Sequence, residues 1–229
     1  MITANQKMWA DWIFYPYITW LLKRHFYSIH LVGDLPDVNR KKPLLLLPNH
    51  NSWWDGFIIY LLNKKIINRR IYLMMLEEQL KKNYFFRFLG AYSINPTGPK
   101  DVRQSLQYTI NLFNCINEPL LVCLFPQGEL QPWNARPIIF KRGLDLILNK
   151  IQVEIDICFL GMRIEFLGEQ RPEIFIQFSS IKKMNKSNYS ISEYQSEFNL
   201  LLDQLEKKIV NGEKGQMIFK GKKSVNQKL

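Results

Sequence analysis

Short apolar runs punctuate the chain at 44–47, 71–75, 120–125, 153–160 and 173–179, and the segments between them repeat their apolar residues every three or four positions. A compact apolar run bounded by turn formers reads as a strand buried on both faces, and the longer spacing reads as one face of a helix. This alternation predicts an α/β fold in a single domain, with a central mixed sheet flanked by helices. Helices are expected over roughly 52–63, 76–89, 100–114, 138–150 and 191–210. In the last, Tyr194, Phe198, Leu201, Leu205 and Ile209 fall on one face, and Gly212 stands just beyond as a stop.

The two ends break the alternation. Residues 1–30 are crowded with Trp, Tyr and Phe and then turn basic at Lys23, Arg24 and His25. Pro16 is expected to split this segment into two short helical pieces. Trp9, Trp12, Ile13, Trp20 and Leu21 suit a membrane interface, where aromatic side chains are favoured. The alternative is that they pack on the protein's own core. Beyond Gly212 the chain is lysine-rich and too poor in apolar residues to pack on its own. The expected organisation is an interfacial segment at 1–30, the main domain at 31–212 and a basic tail at 213–229.

Composition narrows the class. With 229 residues, 47% of them hydrophobic, the chain can bury a sizeable core. A net charge of +11 points to a negatively charged partner: nucleic acid, anionic lipid or a phosphorylated substrate. Nucleic acid fits poorly, because the aromatics keep apolar company instead of interleaving with lysines. Cys115, Cys123 and Cys158 have neither zinc-site spacing nor an even count, so reduced, buried thiols in a cytosolic compartment are expected. No apolar stretch is long enough to span a bilayer.

Candidate chemistry concentrates in "LLLLPNHNSWWDGFIIYLL", residues 44–62, where an apolar strand and an apolar helix are joined by a strongly polar loop. His50 follows the strand, where α/β folds place reactive groups beyond the carboxyl ends of strands. Asp55 lies five residues on. In one continuous helix the two would point about 140° apart, so they can meet only if His50 is in the loop and Asp55 in the first helical turn. Ser52-Trp53-Trp54-Asp55 has the form of a capping box, which places the helix start at Ser52. Asp55 therefore reads as a cap, as the carboxylate that orients His50, or as both.

"NHNSWWD" resembles the N-H-x-S-x-x-D signature of the glycerolipid acyltransferase family, whose best-known members acylate lysophosphatidic acid. "GAYSINP" from Gly90, "FPQGEL" from Phe125 and "FKRG" from Phe140 resemble the family's later blocks in order, so the resemblance covers about residues 40–165. It implies a fatty acyl group moved from acyl-CoA or acyl carrier protein to a hydroxyl of a lysophospholipid or related lipid, at the cytoplasmic face of a membrane. No resident cofactor or metal is implied, and the scarcity of histidines agrees. His50 would be the base and Asp55 its orienter, while Asn49, Ser52, Gln127, Gly128, Glu129, Lys141 and Arg142 would serve substrate binding. The amides near Ser52 and in the "PQG" turn are candidate oxyanion donors.

The chain also departs from that pattern. Asn95-Pro96 replaces the arginine that ends the second block, and Gln127, Glu129 and Leu130 replace a glutamate and a threonine-arginine pair. Losing a charge-assisted contact of roughly 1.5 to 3 kcal/mol predicts weaker reliance on an acceptor phosphate. Lys100, Arg103, Arg136, Lys141 and Arg142 are the cations able to compensate. A non-phospholipid alcohol such as a glycosylated isoprenoid is the alternative acceptor, and an inactive lipid-binding relative the alternative role.

Overall fold

The computed structural model describes residues 1–115, 118–184 and 189–222. Its elements run α1 (Met8–His25), β1 (Ser28–Leu31), β2 (Leu44–Pro48), α2 (Asp55–Leu62), β3 (Arg70–Leu76), α3 (Glu77–Lys82), β4 (Ala91–Ile94), α4 (Pro99–Cys115), β5 (Leu120–Cys123), α5 (Arg142–Leu148), β6 (Ile155–Glu165), β7 (Glu173–Phe178), β8 (Lys182–Met184), α6 (Ile191–Val210) and β9 (Gln216–Lys220). Among the described residues one mixed sheet has the order β4-β3-β5-β2-β6-β7-β1-β9, with β8 paired to β6. Strands β2 to β6 are mutually parallel along that path, so their carboxyl ends share one edge. Both faces are covered, which explains the uninterrupted leucines of β2: Leu44 and Leu46 face α1 and α2, while Leu45 and Leu47 face α4, α5 and α6.

Three expectations change. Pro16 does not divide the N-terminal segment, because α1 continues through it. An internal proline costs about 3 kcal/mol, but Ala10, Phe14, Ile18 and Leu22 bury a stripe in the core on both sides of it. Pro16 itself lies on the exposed face, where the carbonyl it leaves unpaired can be solvated. The predicted helix 76–89 is interrupted at Asn83 and resumes as a 3₁₀ turn, Tyr84–Leu89, whose Phe85 and Phe88 rings pack on Trp9. It ends at Gly90, φ +108°, where a Cβ would lie 2.0 Å from the Ile71 carbonyl oxygen.

The third concerns the tail. Gln216–Lys220 forms β9 antiparallel to β1, burying Phe219. The tail packs after all, because β1 offers an open edge and Gly215, φ +66°, turns the chain onto it. Residues 223–229 lie outside the described residues. Cys123 and Cys158 are buried as expected, whereas Cys115 is exposed at the end of α4. No helix among the described residues is long and apolar enough to cross a membrane.

Candidate active site

The polar loop after β2 leaves the sheet at its carboxyl edge, and α2 begins at Asp55, three residues later than the capping box predicts. Residues 52–54 instead form a turn that brings the Asp55 carboxylate back over the loop. Its Oδ2 accepts from the Asn51 amide at 2.8 Å, the Ser52 amide at 2.9 Å and His50 Nδ1 at 2.9 Å. The Ser52 hydroxyl donates to Oδ1 and accepts from the Trp54 amide at 3.2 Å. Capping and orienting are thus one arrangement. Because a carboxylate can only accept, Nδ1 carries the hydrogen and Nε2 keeps the basic lone pair. The side chains of His50 and Asp55 are 25% and 1% exposed, which buries the carboxylate and leaves the imidazole accessible.

A second loop, after β5, completes the site. Phe125 stacks on the His50 ring, with centroids 3.9 Å apart. Gln127 is fully buried and grips the His50 backbone from both sides: Oε1 accepts from the His50 amide at 2.6 Å, and Nε2 donates to the His50 carbonyl at 3.4 Å. Nε2 also donates to Gln131 Oε1 at 3.1 Å, while the Gln131 amide donates to the His50 carbonyl at 3.0 Å. A carboxylate at position 127 could make only the first of these bonds, so glutamine here and Gln131 form a matched pair. Asn51 closes the same contact by donating to the Gln131 carbonyl at 2.7 Å.

The other residues named from sequence occupy distinct places. Asn49 is buried and fixes the end of β2 to β6: Nδ2 donates to the Met162 carbonyl at 2.8 Å, and Oδ1 accepts from the Met162 amide at 2.7 Å. Gly128, φ +69°, leaves room for Lys141, whose Cγ would lie 2.9 Å from a Cβ there. Lys141 Nζ reaches the Glu129 carboxylate at 2.9 Å, and this cation holds the Glu129 carboxyl below its ordinary range. Arg142 is exposed at the start of α5. Arg136 lies 3.5 Å from Asp203, on the α6 side. Beside Pro96, which stands where the family's arginine would be, Asn95 donates to Asp101 at 3.0 Å.

Three of the candidate oxyanion donors are committed elsewhere. The Asn51 and Ser52 amides serve Asp55, and the Gly128 amide donates to the Phe125 carbonyl at 3.0 Å. Trp53 is exposed and Trp54 is partly buried among His25, Phe26 and Phe57, so the two tryptophans have different surroundings. Sequence reasoning missed the contacts that Phe125 and Gln131 make with His50. Gln131 directly follows the "FPQGEL" block, and only its position beside His50 reveals its part.

Comparisons with known proteins bear on the fold and the family. No curated protein sequence matches the chain. The crystal structure of the 1-acyl-sn-glycerophosphate (LPA) acyltransferase PlsC from Thermotoga maritima is similar with a TM-score of 0.54 at 16% identity, over 86% of this chain and 77% of that one. That likeness establishes a shared fold. The family model described as Acyltransferase matches residues 28–155, more than half of the chain and inclusive of both site loops, and the protein belongs to the acyltransferase family.

Proposed function

We propose that the protein transfers a fatty acyl group from an acyl thioester, acyl-CoA or acyl carrier protein, to a hydroxyl of a lipid acceptor at a membrane surface. The observation that carries this reading is the 2.9 Å His50–Asp55 pair at the carboxyl edge of the parallel strands, in a chain of the acyltransferase family. His50 Nε2 takes the acceptor hydroxyl proton as the oxygen attacks the thioester carbonyl. The tetrahedral intermediate then expels the thiolate, which recovers that proton from the imidazolium, and no acyl-enzyme forms. Asp55 keeps the ring in one tautomer and stabilises its transient charge. Gln127, Gln131 and Phe125 act as positioning residues for His50, and Asn49 holds the loop against β6.

A lysophospholipid or related lipid alcohol is the acceptor class. The local charges favour weak dependence on phosphate, because Lys141 is paired with Glu129 and Asn95 faces Asp101. A glycosylated isoprenoid or another uncharged lipid alcohol fits the same site. Membrane contact is supported by α1, whose buried stripe leaves Trp12, 72% exposed, together with Ile13, Tyr17 and Trp20 on the outer face. The deciding experiment incubates the purified chain with acyl-CoA and vesicles carrying lysophosphatidic acid or uncharged lipid alcohols, with product analysis by mass spectrometry. An acylated lipid formed by the parent and lost in His50→Ala is expected. No product with any donor and acceptor overturns the reading.

A further inference from the structure

We infer that the hairpin joining β6 to β7 is a second membrane contact, which sets Phe166 and Leu167 into the headgroup boundary of an anionic bilayer beside the active-site mouth. This rests on the reading that the acceptor is a bilayer lipid. Strand β6 is parallel to β2, with Leu160 opposite Pro48, and continues five residues further to Glu165. At about 3.3 Å per residue the hairpin therefore reaches roughly 17 Å past the end of β2, on the edge from which His50 projects. The arm is stiff, because β6 and β7 stay paired out to Glu165 and Glu173 and β7 is backed by β1.

The tip has the composition of an interface-seeking element. Phe166 is 72% exposed and Leu167 adjoins it, also exposed. A lone exposed apolar residue is ordinary; an adjacent pair at the end of a projecting arm, set among cations, is a different case. The hairpin's return strand meets the end of α1, where the Tyr27 amide donates to the Pro172 carbonyl at 3.0 Å. The Lys222 amide donates to the Lys23 carbonyl at 3.0 Å, and Arg171 donates to the Lys222 carbonyl at 3.4 Å. Lys23, Arg171 and Lys222 are thus brought together beside the return strand, with Arg24 next in sequence and stacked over Trp20, against Glu169 in the turn and Glu165, which is paired with Arg163. Apolar side chains collared by cations suit an anionic lipid surface.

A second contact also supplies what α1 alone lacks. A helix lying in an interface remains free to roll about its own axis, and a contact displaced from that axis fixes the orientation of the site. Trp53, exposed on the catalytic loop and linked to the end of α1 through Trp54 and His25, faces the same neighbourhood.

The test uses the full chain carrying Cys115→Ser, with an environment-sensitive fluorophore attached at Phe166→Cys. The control site is Val210→Cys, since Val210 is 80% exposed at the far end of α6, where the neighbouring turn packs on Val32 beyond β1. On phosphatidylcholine/phosphatidylglycerol vesicles the probe at 166 should shift to the blue and be quenched by spin-labelled lipid, while the probe at 210 should not respond. Phe166→Asp/Leu167→Asp should weaken vesicle binding about tenfold or more, yet leave transfer to a dissolved short-chain acceptor within about twofold. Parent protein that sediments with vesicles while the 166 probe stays silent overturns the hairpin contact alone. Parent protein that fails to bind vesicles overturns the membrane reading with it. A response at 166 to an acidic carrier protein or to self-association, and none to vesicles, assigns the tip to a protein partner and overturns the inference.

Discussion

Among the described residues two histidine–carboxylate pairs have nearly equal length, and only one leaves its imidazole accessible to solvent. His50 and Asp55 are 2.9 Å apart, and His30 and Glu173 are 3.0 Å apart. The second pair also has a serine, with Ser28 Oγ 2.7 Å from His30 Nε2. Residue types alone would make Ser28, His30 and Glu173 a hydrolytic triad. The geometry forbids it, because serine and carboxylate contact the same ring nitrogen, whereas a relay needs them on opposite nitrogens. The cluster is also sealed: all three residues are buried, His30 stacks on Phe175, and Nδ1 has no hydrogen-bond partner. Lys214 completes it by reaching both Glu173 oxygens, at 3.1 and 3.2 Å. Pair distance therefore says little; what separates a base from a structural histidine is which nitrogen is engaged and whether the other can be reached.

The sharpest way to break this contrast is to remove each histidine in turn. His50→Ala should stay folded and lose about 10² to 10⁴ in acyl-transfer rate, whereas His30→Gln should keep activity within about threefold. Equal losses in steady-state assays would erase the distinction. Asp55→Asn should cost less than His50→Ala but about tenfold or more in kcat, since an amide can hold the wrong tautomer. Urea unfolding of Lys214→Ala should show a loss of about 1 to 2 kcal/mol, reduced from a fully buried pair because the lysine is half-exposed. Its kcat should be unchanged.

The subtlest difference is in pH dependence. Burial lowers the His30 pKa below 6.5, overcoming the opposing pull of Glu173, and Lys214 lowers it further. The unfolded chain then binds a proton near 6.5 that the native state still refuses, so stability falls as pH drops below that value. Melting temperatures recorded from neutral to mildly acidic pH should decline less steeply in His30→Gln than in the parent. Parallel curves would mean that His30 is not held neutral.

Much of the molecule follows from local rules. The leucines of β2, the periodic face of α6 and the apolar runs of β3, β5, β6 and β7 announce themselves because each is buried in a way its own spacing reports. β1, β4, β8 and β9 stayed hidden, because each is short and mixes polar residues with apolar ones, so its pairing comes from neighbours distant in sequence. The unbroken α1 was hidden for a related reason, since proline's local cost is outweighed by packing that only the assembled core supplies.

The candidate site divides along the same line. Sequence by itself determined how His50 and Asp55 could meet, because in one continuous helix they would point about 140° apart and only a loop followed by a first helical turn permits the contact. Tertiary structure decided the rest. It brought Phe125, Gln127 and Gln131 from a loop some 75 residues downstream onto His50, because β5 lies beside β2 in the sheet. It tied Lys141 to Glu129 and committed the Asn51 and Ser52 amides to Asp55. It also left His50 open while sealing His30, because solvent access depends on how strands and loops assemble and is not a property of residue spacing.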